Sequence, residues 1–242
     1  MYQPRSYRHW IKSQDLVPFN VVVQETDLYI RASADLSREA RQLVLKYRRL
    51  LEDYIEHHPA FLTSLEPLAV PEDAPPIVRD MAKAASQVGV GPMAAVAGAM
   101  AEFVGNELSA LSPEIIIENG GDIFLKTRRK RMVSIYAGKS PLSGRIGLEI
   151  SGKETPLGIC TSSGTVGHSL SYGQADGIVV LAKSASLADA AATAIGNGIT
   201  QPGDIPQQLE QVKGVTGLKG VIIIKDSQMG VWGDIKLSQM AT

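Results

Sequence analysis

A short apolar run followed at once by a chain of small residues most constrains how this protein can fold. Residues 177–182 read GIVVLA, which is short and β-branched enough to be a strand buried on both faces. Residues 186–198 then predict a helix, with Ser186 as the N-cap and Gly196 and Gly198 as stop signals. Because most side chains of this helix are alanine, we expect another backbone to approach it closely.

Asp189 and Thr193 lie four residues apart in this helix, so they share one face. Two interpretations are open. Asp189 could be the acid of a capping box, satisfying the backbone at Ser186, with Thr193 an ordinary helix residue. Alternatively, the two oxygens could face a cleft and hold a hard cation such as Mg²⁺, which prefers oxygen ligands.

An Asn-Gly-Gly-Asp sequence separates two apolar runs upstream, and it predicts a tight β-hairpin. Strands are expected at 114–118 and 123–126, with Asn119, Gly120, Gly121 and Asp122 between them. The turn alone explains Asn119 and Gly120. Glycine also lets a ligand come close to the backbone, so the loop could instead contribute to a binding site.

A hydroxyl-rich turn precedes the strand at 177–182. Thr161, Ser162, Ser163 and Gly164 offer hydroxyl and backbone N–H groups that could hold a phosphate or the edge of a flavin, or they could form a plain serine-rich turn. His168 follows, and it could hydrogen-bond a phosphate, transfer a proton, or be an ordinary loop histidine. Cys160, at the end of the preceding strand, is predicted to be a small buried residue.

The order of these motifs resembles the ApbE family of FAD:protein FMN transferases. That family reads G-G-D, then T-S-G, then H-I-x-D-P, a strand, and A-D-A-L-A-T-A, which is similar to the segments 120–122, 161–164 and 188–194 together with His168. The resemblance covers about residues 87 to 200 and is nearest to an uncharacterised ApbE-like group.

Two positions depart from the family pattern. Ala97 stands where the pattern A-K-G-Y-A-V-D has lysine, although Gly98 and Glu102 match its glycine and its acid. The D-P pair after the histidine is absent, since His168 is followed by Ser-Leu-Ser-Tyr. A lost cation weakens any phosphate contact from this helix.

The resemblance implies a fold, cofactors and a reaction. The fold would be the T-fold-like α+β architecture, and FAD would be the flavin nucleotide bound, contacted by residues 119–122 and 161–164. Mg²⁺ would be held by Asp189 and Thr193, with His168 and Asp189 as catalytic candidates. The reaction would transfer FMN from FAD to a serine or threonine of a protein acceptor. Because much of the motif set is altered, retained binding of the ligand is favoured over retained transfer.

The remaining pattern predicts one α+β domain over residues 1–242, an antiparallel sheet with two or three helices on one side. Further hairpins are expected at 20–32 and 221–235, and helices at 36–57, 77–89 and 93–108. The basic run KTRRKR at 126–131 could grip a phosphate or an acidic partner, or form the solvated tip of a hairpin joining strands 123–125 and 132–136.

Net charge and cysteine content limit the binding partners and the cellular location that we expect. A net charge of −1 gives no basic field for nucleic acid or an anionic membrane. With a single cysteine and no apolar leader, a cytoplasmic location is expected. Two other functions stay open: a non-catalytic homodimeric binding or scaffold protein that kept the fold, and a hydrolase of nucleotide pyrophosphates using water as the acceptor.

Overall fold

The computed structural model describes residues 15–163 and 173–240, and these residues alternate between strands and helices. The strands are β1 Val17–Val23, β2 Thr26–Ala32, β3 Ile115–Asn119, β4 Asp122–Lys126, β5 Arg131–Ser134, β6 Ile146–Ile150, β7 Leu157–Ser162, β8 Gly177–Ala182, β9 Leu218–Lys225, β10 Gln228–Gly233 and β11 Leu237–Gln239. The helices are α1 Ser37–His57, α2 Ala60–Thr63, α3 Pro76–Val88, α4 Val96–Leu108, α5 Ala185–Asn197 and α6 Ile205–Val212.

Eight of these strands form one antiparallel sheet in the order β1-β2-β3-β4-β7-β8-β9-β10. The helices pack on one face of this sheet, as the sequence predicts for an α+β fold. The opposite face is covered by a second antiparallel sheet, β11-β6-β5. The sequence pattern did not predict this second sheet.

The two-sided cover explains why several strands are apolar at every position. In β8, Ile178 and Val180 join the core under the helices, whereas Val179 and Leu181 join the core under the small sheet. Because alternate side chains of a strand point to opposite faces, a strand between two layers has no solvent face. The prediction that residues 177–182 are buried on both faces is therefore confirmed.

The helix predicted to begin at residue 93 begins later, after a short 3₁₀ turn. Pro92–Ala95 forms a 3₁₀ turn, and the α-helix begins only at Val96. The break falls where α4 reaches α5, as described below. Within residues 15–163 and 173–240, no single helix is long and apolar enough to cross a membrane, and the segments 76–88 and 92–108 reach that length and apolarity only as a pair bent by 104°.

The basic run at 126–131 is not the tip of a hairpin, so that prediction is wrong. The strand before it, β4, pairs with β3 and β7, whereas the strand after it, β5, pairs with β6 in the other sheet. The run is thus a crossover between layers. Its last residue, Arg131, has a side chain only 4% exposed and forms a bidentate pair with Asp15 at 2.6 and 2.8 Å as well as an ion pair with Glu114.

Truncating Arg131 should therefore destabilise the fold. Arg131→Ala leaves the largely buried Glu114 carboxylate with only the exposed Arg129, at 3.8 Å, as a charge partner, and we expect the free energy of unfolding to fall by about 3 kcal/mol. Urea denaturation measures it. The matched control is Arg49→Ala, because the Arg49 side chain is 83% exposed and 3.6 Å from Asp53, where an ion pair contributes at most about 0.5 kcal/mol. Equal losses in both variants would contradict the assignment of Arg131 as a buried anchor.

Candidate functional site

The candidate site lies where the β3–β4 hairpin, the end of β7 and the N-terminal ends of α4 and α5 meet. The hairpin turn is Gly120 and Gly121, whose φ angles are +70° and +113°. Such angles strain any residue with a Cβ, so the turn itself requires glycine at both positions. The hairpin prediction is confirmed, and its tip points toward β7, since a Cβ on Gly121 would lie 3.4 Å from the backbone oxygen of Thr161.

Helices α4 and α5 cross with their backbones almost in contact. A Cβ placed on Gly98 would lie 2.2 Å from the carbonyl oxygen of Ala185 and 2.9 Å from Cβ of Asp189. On the other side of the same helix turn, a Cβ on Gly158 of β7 would lie 2.3 Å from Cα of Ala185. The expectation that another backbone approaches the alanine-rich helix closely is thus confirmed, by a helix and by a strand.

Each of the two helices carries an acid that caps the other. The backbone N–H of Gly98, in the first turn of α4, donates to Oδ2 of Asp189 at 2.9 Å. In return, Oε2 of Glu102 accepts from the Ser184 hydroxyl at 2.8 Å and from the backbone N–H of Ala185 at 2.6 Å, at the start of α5. Backbone N–H groups at helix N-termini lack partners within the helix, so the two acids satisfy both ends.

The capping-box interpretation of Asp189 is wrong, because Asp189 caps α4 and not its own helix. The N-cap of α5 is Ser184, whose side chain accepts from the N–H of Leu187, so the helix starts two residues before the predicted position. Ser186 is inside the helix, fully buried, and its hydroxyl donates to Asp80. Asp189 therefore lies too far into α5 to cap its own helix, and it faces α4 instead.

The hairpin tip is tied to the same place. The side-chain amide of Asn119 donates to the carbonyl of Ala97 at 3.1 Å, and the backbone N–H of Gly121 donates to Oε1 of Glu118 at 2.9 Å. Asn119 thus anchors the first turn of α4 on the sheet. Glu118 lies buried beside the turn.

The buried carboxyl group of Asp122 and the half-buried one of Asp189 lie close enough to affect one another. Burial raises the pKa of Asp122 well above its ordinary value, and the nearby charges of Asp189 and Glu118 raise that pKa further. Burial also raises the pKa of Asp189, to about 7, against the opposing effect of hydrogen bonds from the backbone of Gly98 and Ala97. Across the described part of the chain, neither carboxylate forms an ion pair with lysine or arginine.

The Cys160 thiol is buried as predicted, and its surroundings make it a poor nucleophile. Burial and the charges of Asp122 and Asp189 raise the thiol's pKa well above its ordinary value. It hydrogen-bonds Asp122 and lies 3.3 Å from the carbonyl oxygen of Ala185. Cys160 therefore lies as a small polar residue between Asp122 and the start of α5.

The other predicted site residues lie around this pair. Thr161 and Ser162 end β7 and are half-buried, and the Ser163 hydroxyl is 3.5 Å from the carbonyl oxygen of Ala175. Thr193 is half-buried in α5, one turn beyond Asp189. Gly164 and His168 lie outside the described residues, so their predicted roles stay predictions.

Sequence reasoning missed the role of Glu102 and the contact between Asp189 and α4. Burial raises the pKa of Glu102, and the charge of Asp80 raises it further against three hydrogen bonds that lower it. The available signal was the pairing of Gly98 and Glu102 in one motif, four residues apart on α4. It could not reveal that the partners of Gly98 and Glu102 lie 91 and 83 positions downstream.

The donor chemistry of the site fits a hard cation. Asp122, Asp189 and Thr193 offer oxygen atoms, which Mg²⁺ prefers. Within residues 15–163 and 173–240, no group of three or more histidine, cysteine, aspartate or glutamate side chains could hold a metal. A cation here would therefore combine two carboxylates with hydroxyl or backbone oxygens, or with the oxygens of a bound phosphate.

This architecture is the ApbE-like fold. The solved flavin transferase ApbE from Vibrio cholerae has the same fold, with a TM-score of 0.58 and 13% identity over 90% of this chain and 96% of that one. The apo form of the flavinyl transferase ApbE from Pseudomonas stutzeri matches with a TM-score of 0.55 and 12% identity over 93% of this chain and 94% of that one. At such identities the likeness shows the fold alone.

The sequence relatives are much nearer. The family model described as AbpE bacteria matches residues 8–214. A UPF0280 protein of Methanococcus aeolicus is 44% identical over 221 residues, 89% of each chain, and one of Methanocaldococcus jannaschii is 40% identical over 89% of this chain and 90% of its own. The chain therefore belongs to the ApbE-like UPF0280 family.

The close crossing should not tolerate a side chain at Gly98. Gly98→Ala should lower the free energy of unfolding by about 1–3 kcal/mol, because the added methyl group overlaps Ala185. The cost of this overlap exceeds the roughly 1 kcal/mol by which alanine is ordinarily more favourable than glycine within a helix. Gly203→Ala is the control, since nothing lies within 4 Å of its added Cβ. A Gly98→Ala protein as stable as Gly203→Ala would disprove the backbone contact.

The carboxyl pair should make metal-free stability fall as pH rises. Asp189 has an ordinary pKa of 3.8 and a folded pKa of about 7, so between these values the folded state binds more protons than the unfolded state. The free energy of unfolding then decreases with increasing pH across that window. In EDTA, the drop in melting temperature from pH 5 to pH 8 should be smaller for Asp189→Asn than for wild type. The exposed control Asp53→Asn should keep the wild-type drop, and an equal drop in all three proteins would refute the assignment.

Proposed function

We propose that this protein binds FAD together with Mg²⁺ at the helix crossing and transfers FMN to a serine or threonine of a protein acceptor. The observation that carries the proposal is the carboxyl pair of buried Asp122 and half-buried Asp189, which has no cationic partner in the described residues. Burying ionised carboxylates without a counter-ion is costly, and the cost is relieved when a cation binds. The fold shared with solved flavin transferases supports the choice of ligand.

Asp189 and Thr193 are the residues proposed to hold the cation. Their spacing of one helical turn places both oxygens on one face of α5. The hydrogen bond from Gly98 fixes one carboxylate oxygen of Asp189, so its orientation is set before a ligand arrives. Bound Mg²⁺ would neutralise charge on the FAD pyrophosphate and favour the departure of AMP.

The hairpin tip and the end of β7 are proposed to receive the flavin nucleotide. Gly120 and Gly121 present backbone without side chains, so a flat ring or a phosphate can approach closely. Thr161 and Ser162 add hydroxyl groups that can donate to phosphate oxygens. Ala97 offers no cation at the position where the ApbE pattern has lysine, so the phosphate must be neutralised elsewhere in the site.

The transfer itself is a substitution at phosphorus. The acceptor hydroxyl oxygen forms a bond to the phosphorus of the FMN moiety, the bond from that phosphorus to the oxygen of AMP breaks, and the hydroxyl proton passes to a base. Asp189 and His168 are the candidates for that base. With water as the acceptor the same chemistry would be hydrolysis, and the two are separated by their products.

Titration with FAD, with and without Mg²⁺, tests the proposal. We expect wild type to bind FAD at least tenfold more tightly with Mg²⁺, and Asp189→Asn to lose this dependence while keeping the hydrogen bond from Gly98. Asp53→Asn, an exposed change of the same kind on α1, should match wild type.

Chromatography of the same mixtures separates the chemical outcomes. Release of AMP and FMN in equal amounts without an acceptor would indicate hydrolysis, and AMP with flavin attached to an added serine- or threonine-containing acceptor would indicate transfer. Absence of FAD binding under both conditions would sink the proposal and leave a scaffold role.

A further inference from the structure

A surface cavity of about 360 Å³ lies at the opposite end of α4 from the carboxyl pair. Its walls come from the C-terminal end of α4, the start of the β4–β5 crossover and the short 3₁₀ turn at 152–154; they are formed by Ser109, Ala110, Leu111, Pro113, Lys126, Thr127, Arg128, Gly152 and Thr155. Since α4 has 13 residues and rises 1.5 Å per residue, the cavity is about 20 Å from the first site. Its volume is in the range of small-molecule sites.

The basic run divides into residues that are paired and residues that face this cavity. Arg129, Lys130 and Arg131 have acidic partners: Arg129 lies 3.3 Å from Asp15, Lys130 lies 2.5 Å from Glu149, and Arg131 pairs as described above. Lys126 and Arg128 line the cavity, and neither forms an ion pair with any described residue. Two uncompensated cations on one cavity wall favour an anionic ligand.

These cations are not needed to cap α4. Positive side chains near a helix C-terminus often satisfy its last carbonyl groups. Here the carbonyl of Gly105 accepts from the hydroxyl and N–H of Ser109, and the carbonyl of Leu108 accepts from the N–H groups of Leu111 and Ser112. The carbonyl groups of Gly105, Glu107 and Leu108 at the end of α4 are thus already satisfied by the local chain.

The cationic wall is held rigidly. The N–H of Thr127 donates to Oγ1 of Thr155 at 3.1 Å, and the Thr155 hydroxyl lies 2.9 Å from the carbonyl of Thr127. A Cβ on Gly152 would lie 2.6 Å from the backbone of Arg128, so only glycine allows this approach. A wall fixed before binding reduces the entropy that a ligand must overcome.

The opposite wall is apolar. Leu111 is 59% exposed, unusually for a large aliphatic residue, and it lies beside Pro113 and Ala110. We propose that this cavity binds a small molecule that carries a phosphate or carboxylate group against Lys126 and Arg128 and a short apolar body against Leu111. This binding is independent of Mg²⁺ and of the proposed flavin site.

Isothermal titration calorimetry at low ionic strength in EDTA tests the inference, with phenyl phosphate, benzoate and inorganic phosphate as probes. We expect wild type to bind phenyl phosphate or benzoate more tightly than inorganic phosphate, and the stronger of the two identifies the anionic group. The double variant Lys126→Gln with Arg128→Gln should bind at least tenfold more weakly. Leu111→Glu, which places a negative charge at the cavity mouth, should also weaken binding.

The matched control removes two exposed cations elsewhere. Arg79→Gln with Lys83→Gln makes the same change of net charge on α3, where neither residue has an ion pair with a described residue. This control should bind like wild type. No binding of any probe to wild type, or equal weakening in the control and the cavity variants, would overturn the inference. Either result leaves the FAD titration unaffected, so the two proposals fail separately.

Discussion

The crossing of α4 and α5 is the contact on which the candidate site depends. Two helix N-termini meet there, and their partial positive charges would repel each other in a poorly hydrated interior. Asp189 and Glu102 offset this repulsion, because each lies on one helix and accepts a hydrogen bond from the backbone at the start of the other. The geometry is possible only because Gly98 and Ala185 leave almost no side chain between the backbones. The same contact holds Asp189 next to the hairpin residue Asp122.

The eight-stranded sheet stabilises the crossing through contacts with both helices. Gly158 of β7 lets Ala185 sit directly on the strand, and Asn119 of β3 holds the carbonyl of Ala97. Contacts within the protein therefore position both helices against the sheet without a ligand. The second sheet contributes from the other side by burying the remaining face of the central strands.

Local features of the fold were predictable from the sequence, and contacts between distant segments were not. The buried strand at 177–182 and the glycine turn at 120–121 follow from β-branching and from positive φ, which are properties of the residues themselves. The pattern predicts Ser186 as the N-cap, whereas the observed N-cap is Ser184, which is held by Glu102 from more than 80 residues upstream. Sequence cannot show that Asp15 and Glu114 lie beside Arg131, so the burial of this end of the basic run was not predictable.

The fold does not require two carboxyl groups at this position, and for that reason we assign the pair a chemical role. An asparagine at 189 could accept the hydrogen bond from Gly98 about as well as the aspartate does, since the two residues cap helices with similar strength. Asn would also avoid the cost of an ionised group in the interior and its repulsion with Asp122. A structural role alone therefore favours the neutral residue at this position. Two acids kept together under these costs are explained when a cation shares them, which is the arrangement that an oxygen-rich Mg²⁺ site needs.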